Sequence, residues 1–433
     1  MFRQRSQINF LMLSRVVGWL LMVEAVFMLL PLITCIIYDE ADAQAFAVTA
    51  GITALSGVLM AYCIKPERTE MGKREGFLLT AMTWIFFSIF GMLPFMIGDL
   101  DLKISDAFFE TMSGFTTTGA TVMTSIEHLS HGMLMWRSLM QWIGGMGIIL
   151  FTLAVIPMLN HSGGMQMFNA EVTGITHEKL RPRVSQTAKG LWLVYVILTA
   201  LLTFLLWLGP MNFFDALCHA FSTMSTGGFS TRDASVGAWN SMYVKIIVTL
   251  FMFLGGVNFA LLFRASTGHV RELWRSEVFR TYIYVIGVML VLFVVAIFAN
   301  KEAHTFEDTI VDPLFLIVST ITSTGLTVSN FEKWGAFVIA LMFVLMFIGA
   351  CAGSTSGGAK MDRMLFLVKN VRNEIHRCIH PNAIHSVRVN GKVLSPELVN
   401  KVIAFLCLYV MLIMVGGIVL TTIGIPLVDA FFS

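Results

Sequence analysis

Long apolar blocks separated by short polar stretches dominate the hydropathy pattern of this chain. They begin near positions 16, 45, 77, 138, 191, 243, 281, 335 and 398. A helix of roughly 20 apolar residues crosses a bilayer, so each block predicts a membrane crossing. Between several blocks lies a shorter apolar segment of about ten residues, which is too short to cross. The pattern predicts an all-α integral membrane protein in which crossings alternate with short re-entrant helices.

The short segments share one sequence pattern, which occurs three times. Each begins with an aspartate, continues with apolar residues and ends in a cluster of Ser, Thr and Gly. The copies are DAFFETMSGFTTTGATV from Asp106, DALCHAFSTMSTGGFST from Asp215 and DPLFLIVSTITSTGLTV from Asp312. A glycine follows the aspartate by 13 residues in every copy, at Gly119, Gly228 and Gly325. Equal spacing in three copies predicts a structural repeat.

The residue types in each copy predict its local structure. An aspartate suits a helix N-terminus, both as N-cap and as partner of the positive dipole end. The negative end of the short helix would then point toward mid-membrane and favour a cation. The polar cluster after it would be irregular backbone that lines a water-filled path, and its glycine permits the positive φ of a carbonyl-lined strand. A helix-packing surface of small residues is the alternative for a single cluster, and three equally spaced clusters favour the ion path.

Composition and charge support a membrane protein and orient it. The chain has 433 residues, of which 56% are hydrophobic and 13% charged, with a mean hydropathy of +0.78. Soluble domains carry about a quarter charged residues. With alternating crossings, most of the 29 Lys and Arg residues fall on one side, which the positive-inside rule makes cytoplasmic together with the N-terminus. Membrane lipid explains these basic loops, and nucleic acid is not predicted as a partner.

The repeats resemble the Trk/Ktr superfamily of potassium uptake channels, and within it the TrkH branch. FTTTGAT (115–121), STGGFST (225–231) and TSTGLTV (322–328) are similar to its first three filter strands. WRSLMQWIGGMGIIL (136–150) and FMFLGGVNFALLF (251–263) are similar to its first two inner helices, and residues 10–64 to its extra N-terminal pair of crossings. The resemblance implies four repeats around a pseudo-fourfold pore.

The same resemblance implies a function, a binding site and partners. Potassium would be the transported ion, taken up across the cell inner membrane through a gated pore. The alternative function is that of a cation-coupled secondary transporter (K⁺/H⁺ or K⁺/Na⁺ symport). It implies a homodimer on a cytosolic nucleotide-binding regulatory subunit of the TrkA type, docked on basic loops 171–190 and 264–280, while this chain itself binds no nucleotide. The sequence shows no combination of nucleophile, base and orienting group that would predict an enzyme. The carbonyls implied to bind the ion are those of Thr117, Thr118, Gly119, Thr226, Gly227, Gly228, Ser323, Thr324 and Gly325.

A glycine-rich stretch, FIGACAGSTSGGAKMDR (347–363), interrupts the block that begins near Trp334. It departs from the phosphate-binding loop G-x-x-x-x-G-K-[ST], because Ala359 precedes Lys360 and Met361 replaces the hydroxyl residue. Irregular backbone halfway along a crossing suits a pore gate, and in the resembling family this place carries an intramembrane gating loop. A glycine-kinked helix is the alternative. The predicted gate residues are Gly353, Ser354, Thr355, Ser356, Gly357 and Gly358.

The repeat also predicts how the chain is divided. The regions are an N-terminal transmembrane hairpin at 1–75, pore repeats at 76–165, 166–270 and 271–390, the last with a gating loop at 349–360, and an incomplete fourth repeat at 391–433. Asp429 in VDAFFS (428–433) follows a crossing as the other three aspartates do. A fourth filter strand and a final inner helix would follow Ser433, so we expect a C-terminally truncated chain.

Other polar residues give weaker functional signals. Glu24, an intramembrane carboxylate, predicts a polar contact with a neighbouring helix. Arg137 lies at the outer end of an inner helix, where anchoring is the simplest role. A cytoplasmic histidine cluster matches no standard zinc spacing and predicts an ordinary loop surface. Its members are His376, His380 and His385, with Cys378.

Overall fold

The structure is a computed structural model that describes residues 8–64, 73–145, 147, 184–302, 304–329, 331–380, 388–393 and 396–432. Across these residues the regular structure is helical, apart from one short antiparallel β-hairpin. The described chain divides into two compact units. The first contains the described residues up to 252 together with 324–328, and the second contains 253–323 and the described residues from 329 onward.

The first unit is built from helices of different lengths. They are α1 (Phe10–Phe27), α2 (Leu29–Tyr38), α3 (Ala43–Val58), α4 (Lys73–Gly91), α5 (Leu93–Ile97), α6 (Ile104–Phe115), α7 (His131–Gly145), α8 (Val184–Trp207), α9 (Phe213–Met224) and most of α10 (Met242–Gly255). A π-helical turn at Leu59–Cys63 extends α3, and a 3₁₀ turn at Ser235–Trp239 precedes α10.

The second unit contains the remaining helices and the hairpin. They are α11 (Phe259–Ser266), α12 (Val270–Arg275), α13 (Glu277–Ala299), α14 (Asp312–Ile321), α15 (Ala336–Ile348), α16 (Met361–Ile379), β1 (Arg388–Val389), β2 (Lys392–Val393), α17 (Pro396–Thr422) and α18 (Leu427–Phe432). A π-helical turn at Glu307–Val311 leads into α14, and a 3₁₀ turn at Phe331–Trp334 precedes α15. Part of its core is formed by Ala359, Phe366, Val389, Val402 and Leu406.

Six described helical stretches are long and apolar enough to cross a membrane. They are Phe10–Tyr38, Ala43–Cys63, Arg74–Ile97, Lys189–Trp207, Glu277–Ala299 and Val399–Thr422. The predicted block near 243 is not a straight crossing, because α10 and α11 are bent by 106°. The block near 335 is interrupted after α15, which has 13 residues. The block near 138 begins with α7 and continues outside the described residues. The predicted all-α, multi-pass membrane architecture is confirmed.

The predicted short helices are α6, α9 and α14, with 12, 12 and 10 residues. The prediction that their aspartates are N-caps is wrong, since the N-caps are Lys103, Asn212 and Val311. Before α9, the amide oxygen of Asn212 accepts from the Asp215 N–H at 2.7 Å and takes the capping role. The aspartates lie in the first turn instead, where a carboxylate still interacts favourably with the helix dipole. Asp429 has the same first-turn position in α18.

Candidate functional site

Each short helix ends in the same kind of turn. After α6, the N–H of Thr117 donates to the Gly114 carbonyl at 3.1 Å, and the N–H of Thr118 donates to the Ser113 carbonyl at 2.9 Å. The same two bonds follow α9, and the first of them follows α14, with Thr226, Gly227 and Ser323 as donors. This is the hydrogen-bond pattern of a Schellman motif. It satisfies helix carbonyls that would otherwise be unpaired at membrane depth.

Two residues with positive φ follow each short helix, two positions apart. The first carries a hydroxyl, at Thr117 (56°), Thr226 (54°) and Ser323 (53°), and the second is the predicted glycine, at Gly119 (79°), Gly228 (90°) and Gly325 (76°). The positive φ predicted for the three glycines is confirmed. A left-handed residue with a Cβ costs roughly 1–2 kcal/mol. Its recurrence at three equivalent positions indicates backbone that its surroundings hold in place.

The glycines allow neighbouring loops of the first unit to meet. A methyl group on Gly119 would overlap the carbonyl oxygen of Gly227, and one on Gly228 would overlap the carbonyl oxygen of Thr324. Loop 117–119 therefore lies beside loop 226–228, which lies beside residues 324–325. Of the nine residues, Thr226, Gly227 and Thr324 are buried, Thr117, Gly119, Gly228 and Ser323 are half-buried, and Thr118 and Gly325 are exposed.

Gln141 of α7 forms hydrogen bonds with residues on both sides of the second loop, 226–228. Its amide oxygen accepts from the hydroxyl of Ser222 at 2.9 Å and from the N–H of Phe229 at 3.1 Å. A Cβ on Gly227 would lie 2.6 Å from the same oxygen, so glycine is needed for this close approach. Ser113 is the counterpart of Ser222 in the first repeat, and its hydroxyl donates to the Ala120 carbonyl at 2.6 Å. The sequence reasoning missed these residues, although a serine seven positions after each aspartate was a usable signal.

A buried ion pair contacts the chain just after the first loop, 117–119. Nε of Arg137 lies 2.8 Å from Oε1 of Glu110, and the two side chains are 1% and 0% exposed. Both side chains also contact the hydroxyl of Thr121, two residues beyond Gly119. Arg137 therefore forms an ion pair with Glu110, which its position at the outer end of an inner helix did not predict. The missed signal was Glu110 itself, an ionisable residue in the middle of a short helix whose remaining charged residue, Asp106, lies in the first turn.

In the second repeat, His219 of α9 takes a similar place. Its Nδ1 lies 2.8 Å from the Asp215 carbonyl, and its Nε2 lies 2.9 Å from the hydroxyl of Ser230. Because a carbonyl only accepts, Nδ1 donates the first hydrogen bond, and Nε2 forms the second with the hydroxyl of Ser230. The carboxylate of Asp215 also accepts from the hydroxyl of Thr231 at 2.6 Å. The polar side chains of α9 thus fix the chain that follows Gly228.

The predicted gate lies in a loop, residues 349–360, between α15 and α16. Its two ends meet, since the Ala359 N–H donates to the Phe347 carbonyl at 3.1 Å and the Met361 N–H donates to the Ala350 carbonyl at 2.9 Å. The loop also reaches the beginning of the third predicted filter segment. The N–H of Gly357 donates to the hydroxyl of Ser323 at 3.0 Å.

This loop pairs with the break between α10 and α11. The N–H of Cys351 donates to the Gly256 carbonyl at 3.0 Å, and the N–H of Phe259 donates to the Gly353 carbonyl at 2.9 Å. Asn258 joins both sides: its Oδ1 accepts from Ala260 N–H at 2.8 Å and caps α11, while its Nδ2 donates to the Ala352 carbonyl at 2.6 Å. The predicted inner helix at 251–263 is therefore two helices, because Asn258 begins a new one.

Glu24 and the predicted cytoplasmic histidine cluster were two of the weaker functional signals of the sequence. The polar helix contact expected for Glu24 is not found among the residues that the structure describes: Glu24 is fully buried, neither of its carboxylate oxygens has a hydrogen-bond partner there, and it packs against Gly91. The rings of His376 and His380 lie 4.9 Å apart, and Cys378 is exposed. In the part of the chain that the structure describes, no three potential metal ligands converge, and His385 lies outside that part.

Comparison with known proteins places this geometry in a family. Residues 41–433 match TrkH, described as a cation transport protein. The chain is 35% identical over 428 residues to the Trk system potassium uptake protein TrkH of Escherichia coli (strain K12), covering 98% of this chain and 88% of that protein. It is 33% identical over 419 residues to the Trk system potassium uptake protein TrkG of the same strain, covering 96% and 86%. The crystal structure of the potassium transporter TrkH from Vibrio parahaemolyticus matches with a TM-score of 0.88 at 32% identity, covering 98% of this chain and 88% of that one. The resemblance recognised from the repeats is thus confirmed, and the chain belongs to the TrkH family of cation transport proteins.

Proposed function

We propose that this chain takes up potassium through a gated pore and that backbone carbonyls of its three loops bind the ion. The observation that carries the proposal is the loop backbone, in which the same two positive-φ residues follow each of three short helices. Glycine then allows one loop to approach the carbonyl of the next. The potassium uptake named for the relatives supports the choice of ion.

The proposed filter consists of residues 117–119, 226–228 and 323–325. Carbonyl oxygens that face one axis replace the hydration shell of potassium. The helices α6, α9 and α14 end at these loops, so the partial negative charge of each C-terminus adds to the attraction for a cation. Carbonyl groups are dipoles without net charge, which suits an ion that must leave as readily as it binds.

The proposed gate is the 349–360 loop, with Gly353, Ser354, Thr355, Ser356, Gly357 and Gly358 as the moving residues. Two observations support it. The loop interrupts an apolar helical stretch, and its Gly357 contacts Ser323 at the beginning of the third filter segment. A displacement of this loop would therefore change the surroundings of the path next to the filter.

The proposal includes a setting and partners. The protein would be a homodimer in the cell inner membrane with a cytoplasmic N-terminus, as the distribution of basic residues indicates. A cytosolic nucleotide-binding subunit of the TrkA type would dock on basic loops 171–190 and 264–280. Of the second loop, Arg271, Trp274 and Arg275 are exposed, and Arg264 forms an ion pair with Glu272 at 2.7 Å. Exposed arginines beside a tryptophan suit a protein interface.

Tracer uptake into proteoliposomes tests the filter. Gly119→Ser and Gly228→Ser should abolish or strongly reduce ⁸⁶Rb⁺ uptake, or its preference over ²²Na⁺, because the added side chain overlaps a backbone carbonyl. Gly287→Ser is the matched control, since an added Cβ on this exposed glycine of α13 would have no atom of the described residues within 4 Å. It should behave as the wild type.

The same assay separates the proposal from its alternative. Uptake that runs down the rubidium gradient without a proton or sodium gradient supports a pore. Uptake that occurs only with one of those gradients would instead support a coupled transporter. Unchanged selectivity in both glycine variants would overturn the filter assignment.

A further inference from the structure

Glu110 and His219 occupy one position of the repeat, four residues after the aspartate of the short helix. Each reaches the hydroxyl residue that lies two positions beyond the filter glycine. Glu110 accepts from Thr121 at 3.0 Å, and His219 lies 2.9 Å from Ser230. The third repeat has Leu316 at this position, whose side chain forms no hydrogen bond. Two of the three repeats therefore use a polar side chain of the short helix to hold the end of the filter segment.

The hydrogen bonds around Thr121 leave it little freedom. Its hydroxyl donates to Glu110 and accepts from Nη2 of Arg137 and from the N–H of Met123, both at 3.1 Å. A threonine hydroxyl has one donor and two acceptor positions, and all three are used. The other carboxylate oxygen of Glu110 accepts from the N–H of Val122 at 3.0 Å. The side chain and the backbone just beyond Gly119 are thereby tied to α6 and α7.

Arg137 also connects the first filter segment to the second. Its guanidinium lies over the ring of Phe229, 4.1 Å from the centroid, and Phe229 directly follows Gly228. A cation over an aromatic face is attracted by the ring quadrupole, more strongly where water is excluded. Arg137 is 1% exposed, so water is excluded here. One buried guanidinium thus contacts the ends of two neighbouring segments.

The charges of Arg137 and Glu110 cancel, so the network acts through its geometry rather than through its net charge. Arg137 and Glu110 neutralise each other at 2.8 Å, so the pair adds little net field to the proposed path. A buried pair is also an uncertain source of stability, because desolvation offsets the attraction. What the pair does supply is fixed geometry, since an arginine fork and a carboxylate impose direction on every bond.

We propose that Glu110 with Arg137, and His219 in the second repeat, are positioning residues that hold the ends of the first two filter segments and thereby set the discrimination between potassium and sodium. The inference rests on the proposed function. Discrimination by carbonyls depends on how many of them reach the ion and on how firmly they are held. A loosened segment lets its carbonyls close around the smaller ion.

The test compares the ratio of ⁸⁶Rb⁺ to ²²Na⁺ uptake in proteoliposomes. Thr121→Val removes the shared hydroxyl, and Arg137→Lys keeps the charge but loses the fork. Each should lower the ratio by about tenfold while rubidium still passes, and Thr80→Val should leave it unchanged. Thr80 is a matched control because, among the described residues, its hydroxyl bonds only to the Gly76 carbonyl of its own helix, at 3.0 Å.

A double variant guards against misfolding. Glu110→Gln with Arg137→Met removes both charges, which avoids leaving one buried charge unpaired. It should elute as the wild type does in size-exclusion chromatography and still lose selectivity. Suppose that the wild type prefers rubidium and that three variants keep its uptake ratio of ⁸⁶Rb⁺ to ²²Na⁺: the double variant, Thr121→Val and His219→Leu. The inference is then overturned, while the filter assignment stands. If the wild type itself takes up no rubidium in preference to sodium, the proposed function fails.

Discussion

Glu40 caps the N-terminus of α7 from the turn between α2 and α3. Its carboxylate accepts from the His131 N–H at 2.7 Å and from the Gly132 N–H at 3.1 Å, and it lies 2.8 Å from the His131 ring. That ring stacks on Tyr38 with centroids 3.8 Å apart. Burial opposes ionisation of Glu40, but the hydrogen bonds outweigh it and lower the pKa of this carboxyl. The N-terminal hairpin is thus fastened electrostatically to the first repeat.

This lowered pKa predicts a pH dependence of stability. A carboxyl whose pKa is lower in the folded state stabilises the protein above its unfolded pKa of about 4.3, and the contribution disappears as pH falls through the folded pKa. Glu40→Gln should therefore lower the melting temperature at neutral pH and flatten its acid-side decline in detergent. Glu127→Gln, at an exposed glutamate, is the control. An acid profile of Glu40→Gln identical to that of the wild type would contradict the assignment.

Single residues also show what sequence could and could not predict. The positive φ of Gly119, Gly228 and Gly325 followed from equal spacing and from glycine's conformational freedom. The same conformation at Thr226 had no sequence signal, because a β-branched residue avoids it and only the surrounding turn imposes it. The Glu110–Arg137 pair joins residues of two helices, and such partners are fixed by packing rather than by local sequence.

At the scale of helices, α1 and α3 pack through glycine. A Cβ added to Gly18 would lie 2.6 Å from the Ala61 nitrogen, and one added to Gly57 would lie 2.8 Å from the Gly18 carbonyl oxygen. Small residues let helix backbones approach in a membrane, where dispersion contacts drive association. The two helices are therefore held by shape, and a larger side chain would force them apart.

Gly18→Leu should destabilise the N-terminal hairpin by roughly 1–3 kcal/mol or more, as overpacking does. Gly51→Leu is the matched control on α3, because an added Cβ there meets no atom within 4 Å in the part of the chain that the structure describes. Thermal unfolding of the purified variants measures the difference. Equal melting temperatures for the two variants would refute tight packing at Gly18.

The break between α10 and α11 gives a prediction about the gate. Asn258→Ala removes both the α11 cap, which contributes about 1 kcal/mol, and the bond to the Ala352 carbonyl. With the proposed gate loop less firmly held, the variant should show higher ⁸⁶Rb⁺ uptake in the absence of any regulatory subunit. Asn300→Ala is the control, since its Nδ2 bonds a carbonyl in the same way, that of Trp334 at 2.6 Å. Basal uptake equal to that of the wild type would count against a role of Asn258 in holding the gate.

Helix boundaries were the weaker part of the sequence prediction, for a physical reason. Hydropathy stays high through Gly255, Gly256 and Val257, so the block read as one crossing although α10 and α11 are bent by 106°. The glycine pair and Asn258, a good N-cap residue, were the available signals of a break. The interruption at 349–360 was predicted because its glycines and hydroxyls are dense enough to lower hydropathy.

For the whole molecule, the repeats agree where the filter is proposed and differ elsewhere. The short helix, its terminal turn and the two positive-φ residues recur three times. The helices that follow do not: α10 and α11 are sharply bent, and α15 and α16 are separated by a loop. Equivalent loops suit an ion held by several carbonyls, whereas an unequal pair of broken helices suits a gate. Family membership and the all-α fold followed from the repeat, while the region boundaries stay predictions.

Ion binding at the three loops is the central claim, and anomalous diffraction tests it most directly. Crystals grown in rubidium or thallium salts place these ions by their scattering, independently of any flux assay. The account predicts anomalous peaks within coordination distance of the carbonyl oxygens of residues 117–119, 226–228 and 323–325. Peaks elsewhere in the protein, with none at these carbonyls, would contradict it.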